Sequence, residues 1–208
     1  MLCTLQFIIL GSGVCSFLET YRGAPLYWIA IAREALGNEK KVSIMTGLAF
    51  EFRHAESRDV PVLASLLLEA NRHYWGEVEG ASEMTSEVAR AIVDGRSGCR
   101  AVLALREDRP VGFATITILH PAPNENGTLF RKDLFVSESA RGVGLGKIFM
   151  RYLAHYAVKL GCHRFDWTAE SDNPRALRFY DDLTASRVSE KVYFRFSGSQ
   201  LKGFAGSI

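Results

Sequence analysis

The stretch from Thr128 to Gly161 constrains the fold most, because its hydrophobic period changes once, abruptly, at a run of glycines. "TLFRKDLFVSES" reads as a strand and "ARGVGLG" as a tight turn. The next segment places Leu145, Ile148, Phe149, Tyr152, Leu153, Tyr156 and Leu160 at helical spacing. Gly161 then supplies a helix stop. A strand that runs straight into a long one-faced helix must lay that face on a sheet, so the chain has to build a layered α/β domain.

The other elements follow from the same two periodicities. "LAFEFRHA" alternates as a strand. "SRDVPVLASLLLEANRHYW" is a helix with Ser57 as its expected N-cap, and "SEMTSEVARAIVDG" is a second helix stopped by Gly95. "RAVLALRED" and "PVGFATITILHP" form a hairpin through "EDRP". After the long helix come a strand in "HRFDWTAE", a helix in "NPRALRFYDDL" with Pro174 at its first turn, and an alternating closing strand in "RVSEKVYFRFSG". This order predicts an antiparallel meander followed by βα units, a mixed central sheet with flanking helices.

With 208 residues, 48% of them hydrophobic and 23% charged, the chain is expected to bury one substantial core as a soluble domain. A net charge of +2 does not fit a dedicated nucleic-acid binder. The local distribution says more. From Ala140 to Phe165 there is no acidic residue, yet Arg141, Lys147, Arg151, Lys159 and Arg164 fall there; from Gly76 to Ala89 the bias reverses, with Glu77, Glu79, Glu83 and Glu87. Cys3, Cys15, Cys99 and Cys162 stand singly, with no metal spacing and no disulfide framework, so no metal is expected and a reducing cytoplasm is.

Residues 1–44 read differently from the rest. "MLCTLQFIILGSGVCSFL" is broken by glycines and polar residues and has no Lys or Arg before Arg22, so it makes a poor signal peptide or membrane span. "APLYWIAIAREALGNEKK" suggests a short helix ending at Gly37. The preferred reading is an N-terminal extension over 1–44 and a functional domain over 45–208; a packed accessory helix and a membrane anchor are weaker alternatives.

Glycines ahead of a helix suggest a phosphate, and three motifs compete for the turn. A P-loop fails because Arg141 stands where its first glycine belongs and Ile148 replaces its hydroxyl. A dinucleotide fingerprint fails because Lys147 or Phe149 stands where its third glycine belongs. What remains is R-x-x-G-x-G, with Arg141, Gly144 and Gly146 between a strand and a helix. Such a turn aims successive N–H groups and a helix N-terminus at one anion, with the arginine as a charged clamp.

"DLFVSESARGVGLG" followed by "DWTAESDNPRALRFY" resembles the GNAT superfamily of N-acetyltransferases over roughly residues 50 to 196, in element order as well as motifs. Asn173, Ala176, Phe179 and Tyr180 match its second motif, N-x-x-A-x-x-F-Y. The nearest look within it is to small-amine acetyltransferases of the diamine and polyamine type. Two departures stand out: Thr184 occupies a position that is usually glycine, and Lys132 one that is often acidic in diamine acetyltransferases.

The resemblance implies a GNAT fold with a splayed cofactor cleft and acetyl-CoA as acyl donor. Its pyrophosphate would lie on Arg141, Gly142, Val143, Gly144, Leu145, Gly146 and Lys147, its pantetheine against the main chain of Leu134, Phe135 and Val136, and Asn173 on the other side. The implied reaction is direct attack of a primary amine of a small molecule on the thioester. The alternatives are a protein or peptide amine, or a catalytically silent acyl-CoA-binding regulatory module. Tyr180 is the implied general acid: a phenol is protonated at neutral pH and can serve a departing thiolate, whose reference pKa is about 8.5. Asp133, Glu170 and His120 are candidates for the base, beside a water chain. On the acceptor side, Tyr74, Trp75, Glu77 and Glu79 are placed to meet a cationic amine, with Asp133 nearby. Neither nucleic acid nor membrane is expected as a partner, and assembly as a homodimer is left open.

Overall fold

A computed structural model describes residues 40–43, 49–121 and 127–206. The short helix suggested before Gly37, and all of the 1–44 extension except Lys40–Ser43, lie outside the described residues. Residues from Glu39 onward form one compact unit. Its sheet runs in the order β1-β2-β3-β4-β5-β6, with β1 Lys40–Ser43, β2 Ala49–His54, β3 Arg100–Arg106, β4 Arg109–Leu119, β5 Thr128–Val136 and β6 Arg164–Trp167. The first five strands pair antiparallel, and β6 joins β5 in parallel. The parallel pair needs a crossover, and α3 (Leu145–Lys159) provides it.

The sheet is covered on both faces, and the sequence shows why. In β3 every residue from Ala101 to Leu105 is buried, as expected of a strand packed on two sides. Leu103 and Leu105 join Phe113 and Phe135 beneath α1 (Val60–Trp75) and α2 (Ala81–Val93), which contribute Leu63, Leu66, Ala70, Ala89 and Ile92. On the opposite face, Phe52 of β2 meets Phe149 at 4.9 Å and stacks on Tyr152 at 4.8 Å, both from α3. Leu145, Phe149, Leu153 and Tyr156 are buried, so the apolar stripe of α3 is the one its spacing predicts.

Asp59 precedes α1 and accepts both Arg53 guanidinium nitrogens, at 2.6 and 2.8 Å, together with the Glu56 N–H at 2.8 Å. It stands at the N-cap position expected of Ser57 but makes no side-chain cap to α1, and Ser57 lies instead in the preceding 3-10 turn, Ser57–Asp59. Hydrogen bonding to Arg53 holds the Asp59 carboxyl below its ordinary pKa. The pair thereby ties the end of β2 to the start of α1.

The expected closing strand is not part of the sheet. Residues 185–196 carry no regular structure, and Val192, Tyr193 and Phe194 are 74%, 72% and 87% exposed. The chain continues instead into α5 (Gly198–Ala205), where Phe204 stacks on Phe196 at 4.5 Å. That contact ties the end of the alternating segment to the helix rather than to a strand edge. Nearby, Thr184 adopts φ +59, a left-handed conformation costly for a β-branched residue and natural for the glycine usual there.

His54 yields a pH-dependent stability. Both ring nitrogens are buried, and the ring packs edge-on against Tyr156 at 5.3 Å. Burial, reinforced by the Arg100 charge, lowers its pKa from 6.5 to about 4. The unfolded chain therefore binds one more proton than the folded one between these values. The resulting stability is complete above pH 6.5 and is lost as pH falls to about 4. The expected loss is about 3 kcal/mol. Denaturant titrations of the protein and of His54→Leu across this window should show that component of the slope in the former and not in the latter.

Candidate active site

The turn after β5 has the geometry that its glycines allow. A single 3-10 turn, Glu138–Ala140, leads into it, and Gly144 is the N-cap of α3. Gly142 and Gly144 both have φ +80, and a Cβ added at either would meet nothing within 4 Å. The backbone there is left-handed and its outer side is open. Val143 is partly buried, Leu145 is buried in the core, and Lys147 is exposed on the first turn of α3. Arg141 Nε donates to the Val136 carbonyl at 2.9 Å, with its guanidinium 5.6 Å from the Phe135 ring. It thus stands at the junction of strand and turn.

Two features prise β5 and β6 apart at this level. The β4–β5 register passes from Ile116↔Arg131 to Thr115↔Asp133, so Lys132 is an extra, bulged residue on β5. β6 pairs only with Thr128–Arg131, and beyond that point β5 has no strand on that side among the described residues. The Asp133 N–H donates to Thr115 Oγ1 and the Ser137 N–H to the Val111 carbonyl, both toward β4. Strand amides alternate in direction, so those of Leu134 and Val136 point to the open side and that of Phe135 toward β4. The splayed cleft is therefore a consequence of one bulge and one short strand.

The opposite wall is α4 (Pro174–Asp181). Asn173 caps it, its side-chain oxygen accepting the Ala176 N–H at 3.0 Å. The neighbouring aromatics divide their work, as a helical step of about 100° requires. Phe179 packs so closely on the turn that a Cβ at Gly146 would stand 3.3 Å from its ring. Tyr180 reaches back to β5, where its oxygen accepts Arg131 Nη2 at 3.0 Å, and its ring lies 5.4 Å from that of Trp167.

Of the other expected residues, Tyr74 near the end of α1 is 55% exposed. Partial desolvation raises its hydroxyl pKa above the ordinary value, with Tyr180 and Asp133 adding to the rise and Arg141 and Arg131 opposing it. The direct contact described for its ring is with His73, at 5.1 Å. Asp133 accepts Thr115 Oγ1 at 2.5 Å and lies 3.6 Å from Lys132 Nζ. Trp75, the last residue of α1, and Glu79, in the α1–α2 link, are exposed, and Glu77 pairs with Arg72 at 2.9 Å. Glu170 and His120 are exposed beyond the ends of β6 and β4.

Two contributors escape the sequence reading. Glu69 of α1 accepts Ser137 Oγ at 2.5 Å and the Glu138 N–H at 3.3 Å, fixing the chain where β5 becomes the turn. Arg131 supports Tyr180 from within the sheet. Among the described residues no group of three or more His, Cys, Asp or Glu is placed to hold a metal, and no helix is long and apolar enough to cross a membrane.

Residues 64–183 match the profile described as the acetyltransferase (GNAT) family. An L-ornithine N5-acetyltransferase from Arabidopsis thaliana is 30% identical over 91 residues, 44% of this chain and 40% of its own length. A thialysine N-epsilon-acetyltransferase from Mus musculus is 28% identical over 81 residues, 38% of this chain and 48% of its own. The chain thus spans less than half the length of these curated relatives. An integron cassette protein from the mobile metagenome of V. cholerae is similar in structure, with TM-score 0.70 and 38% identity, covering 76% of this chain and 98% of that one.

Proposed function

Because the chain belongs to the acetyltransferase (GNAT) family, we propose that it moves an acetyl group from acetyl-CoA to a primary amine of a small molecule. The observation that carries this reading is the division of labour in α4: Phe179 seats against the glycine turn while Tyr180 stands beside the strand that opens toward it. An anion-binding turn, a strand edge with free-side amides and a hydroxyl donor then line one cleft. Both curated relatives are named for acetylation of a side-chain amine of an amino acid, which favours an acceptor of that size.

Each step has a residue to serve it. The left-handed turn at Gly142 and Gly144 and the start of α3 hold the pyrophosphate, with Arg141 and Lys147 supplying positive charge. The open-side amides of Leu134 and Val136 take the pantetheine and the acetyl carbonyl. The neutral amine attacks the carbonyl carbon, the C–S bond breaks with its electron pair on sulfur, and Tyr180 gives that sulfur its proton. Water takes the proton released by the amine, and solvent restores the phenol. Asn173 contributes by holding α4 in place, and residues 45–208 contain every residue named in these steps.

Calorimetry with CoA followed by thiol release from acetyl-CoA across a panel of amines tests this reading. Release that requires an amine, with ornithine and thialysine among the better acceptors, is expected. Tight CoA binding without release against any amine would instead indicate a silent acyl-CoA-binding module.

A further inference from the structure

Arg131 is an anomaly of charge placement. It is 3% exposed, yet no carboxylate lies within salt-bridge distance of it among the described residues; Asp133 acts on it only through its charge, without contact. Its Nε is buried with no hydrogen-bond partner. Burying a guanidinium in this way is costly, and a methionine of similar volume would fill the space more cheaply. What it has instead is Tyr180: Nη2 donates to the phenol oxygen at 3.0 Å, and the guanidinium lies 5.3 Å from that ring and 5.8 Å from the Trp167 ring. The residue stands immediately before the bulge, at the last β5 position paired with β6.

We propose that Arg131 is a positioning residue for acetyl transfer, acting through Tyr180. An arginine donates and never accepts, so it occupies a lone pair of the phenol oxygen and leaves the phenol proton to be directed elsewhere. The guanidinium packs against both rings, and its hydrogen bond fixes the hydroxyl at the mouth of the splayed cleft. As the C–S bond breaks and the phenol O–H bond gives its proton to sulfur, negative charge grows on an oxygen already facing a fixed cation. The low-dielectric surroundings that make Arg131 costly in the resting protein make its charge most effective at that moment.

This inference rests on the assignment of Tyr180 as the acid, and its test separates the two. Arg131→Met should lower kcat about 10- to 100-fold, the range for loss of one charge-assisted hydrogen bond, with CoA affinity and the KM for the amine unchanged. Arg131→Lys, which keeps the charge and a donor, should recover part of the loss. In a Tyr180→Phe background the same Arg131→Met change should cost less than about 2-fold, because the hydroxyl it acts through is gone. The Arg131→Met loss should also shrink with an acetyl thioester of a more acidic thiol. A loss that persists undiminished in the Phe background, or that appears in CoA affinity, would overturn the inference. So would full activity in Arg131→Met, or, if that variant does not fold, in Arg131→Lys an effect independent of Tyr180. Impaired Tyr180→Phe beside unimpaired Arg131→Met would reject this role alone, whereas a fully active Tyr180→Phe would reject the acid assignment beneath it.

Discussion

Replacing Tyr180 with phenylalanine is expected to lower kcat by about 10²- to 10⁴-fold while leaving CoA affinity and the fold intact. The substitution deletes one oxygen, and the described contacts of the ring, with Trp167 at 5.4 Å and Phe179 at 5.0 Å, do not involve it. The only described partner that loses a hydrogen bond is Arg131. That loss costs some stability, so a modest fall in melting temperature is expected beside the kinetic effect. The deficit should narrow with acyl donors whose thiols leave readily as anions, because those need no acid. Steady-state kinetics with a thioester series, together with calorimetry for CoA, separates chemistry from binding. Undiminished kcat in a folded variant would leave water as the proton source.

Gly144→Glu is expected to abolish CoA binding. The residue is the N-cap of α3 with φ +80, a conformation that side chains other than glycine adopt at a cost of roughly 1 kcal/mol or more. Nothing in the protein obstructs a side chain there, so the variant should fold. The harm falls on the ligand: a carboxylate would project into the open space over the turn and repel a pyrophosphate at the point where the helix N-terminus attracts it. Calorimetric titration with CoA should show no measurable heat of binding. Unchanged affinity would move the pyrophosphate away from this turn.

Much of this architecture is legible in the sequence because it rests on local rules. The stripe of α3, the glycine stop at Gly161, the β3–β4 hairpin and the Pro174 start of α4 each depend on residues within one turn or one strand of each other. The split of Phe179 from Tyr180 follows from an equally local rule, the helical step of about 100° between neighbours. Long-range pairings are not. Arg131 reads as one charged residue in the run "FRKD", and only the fold brings it to Tyr180, 49 positions away. Glu69 and Ser137 are 68 positions apart. The segment 187–196 shows the converse limit: alternation says which side chains a strand would present to each face, but not whether an edge is available to pair with it. Ser57 has the right chemistry for a helix cap, yet the helix starts after Asp59, whose carboxylate is turned back to Arg53 and the Glu56 N–H and makes no side-chain cap to α1.

The fate of the acetyl group tests transfer to an amine most directly. Acetyl-CoA carrying an isotopic label in the acetyl group, incubated with the protein and ornithine, should yield ornithine bearing one labelled acetyl group on its side-chain nitrogen, in step with free CoA thiol, by mass spectrometry. Label that stays on the thioester, or that leaves as free acetate while the amine is unmodified for every amine in the panel, would contradict it.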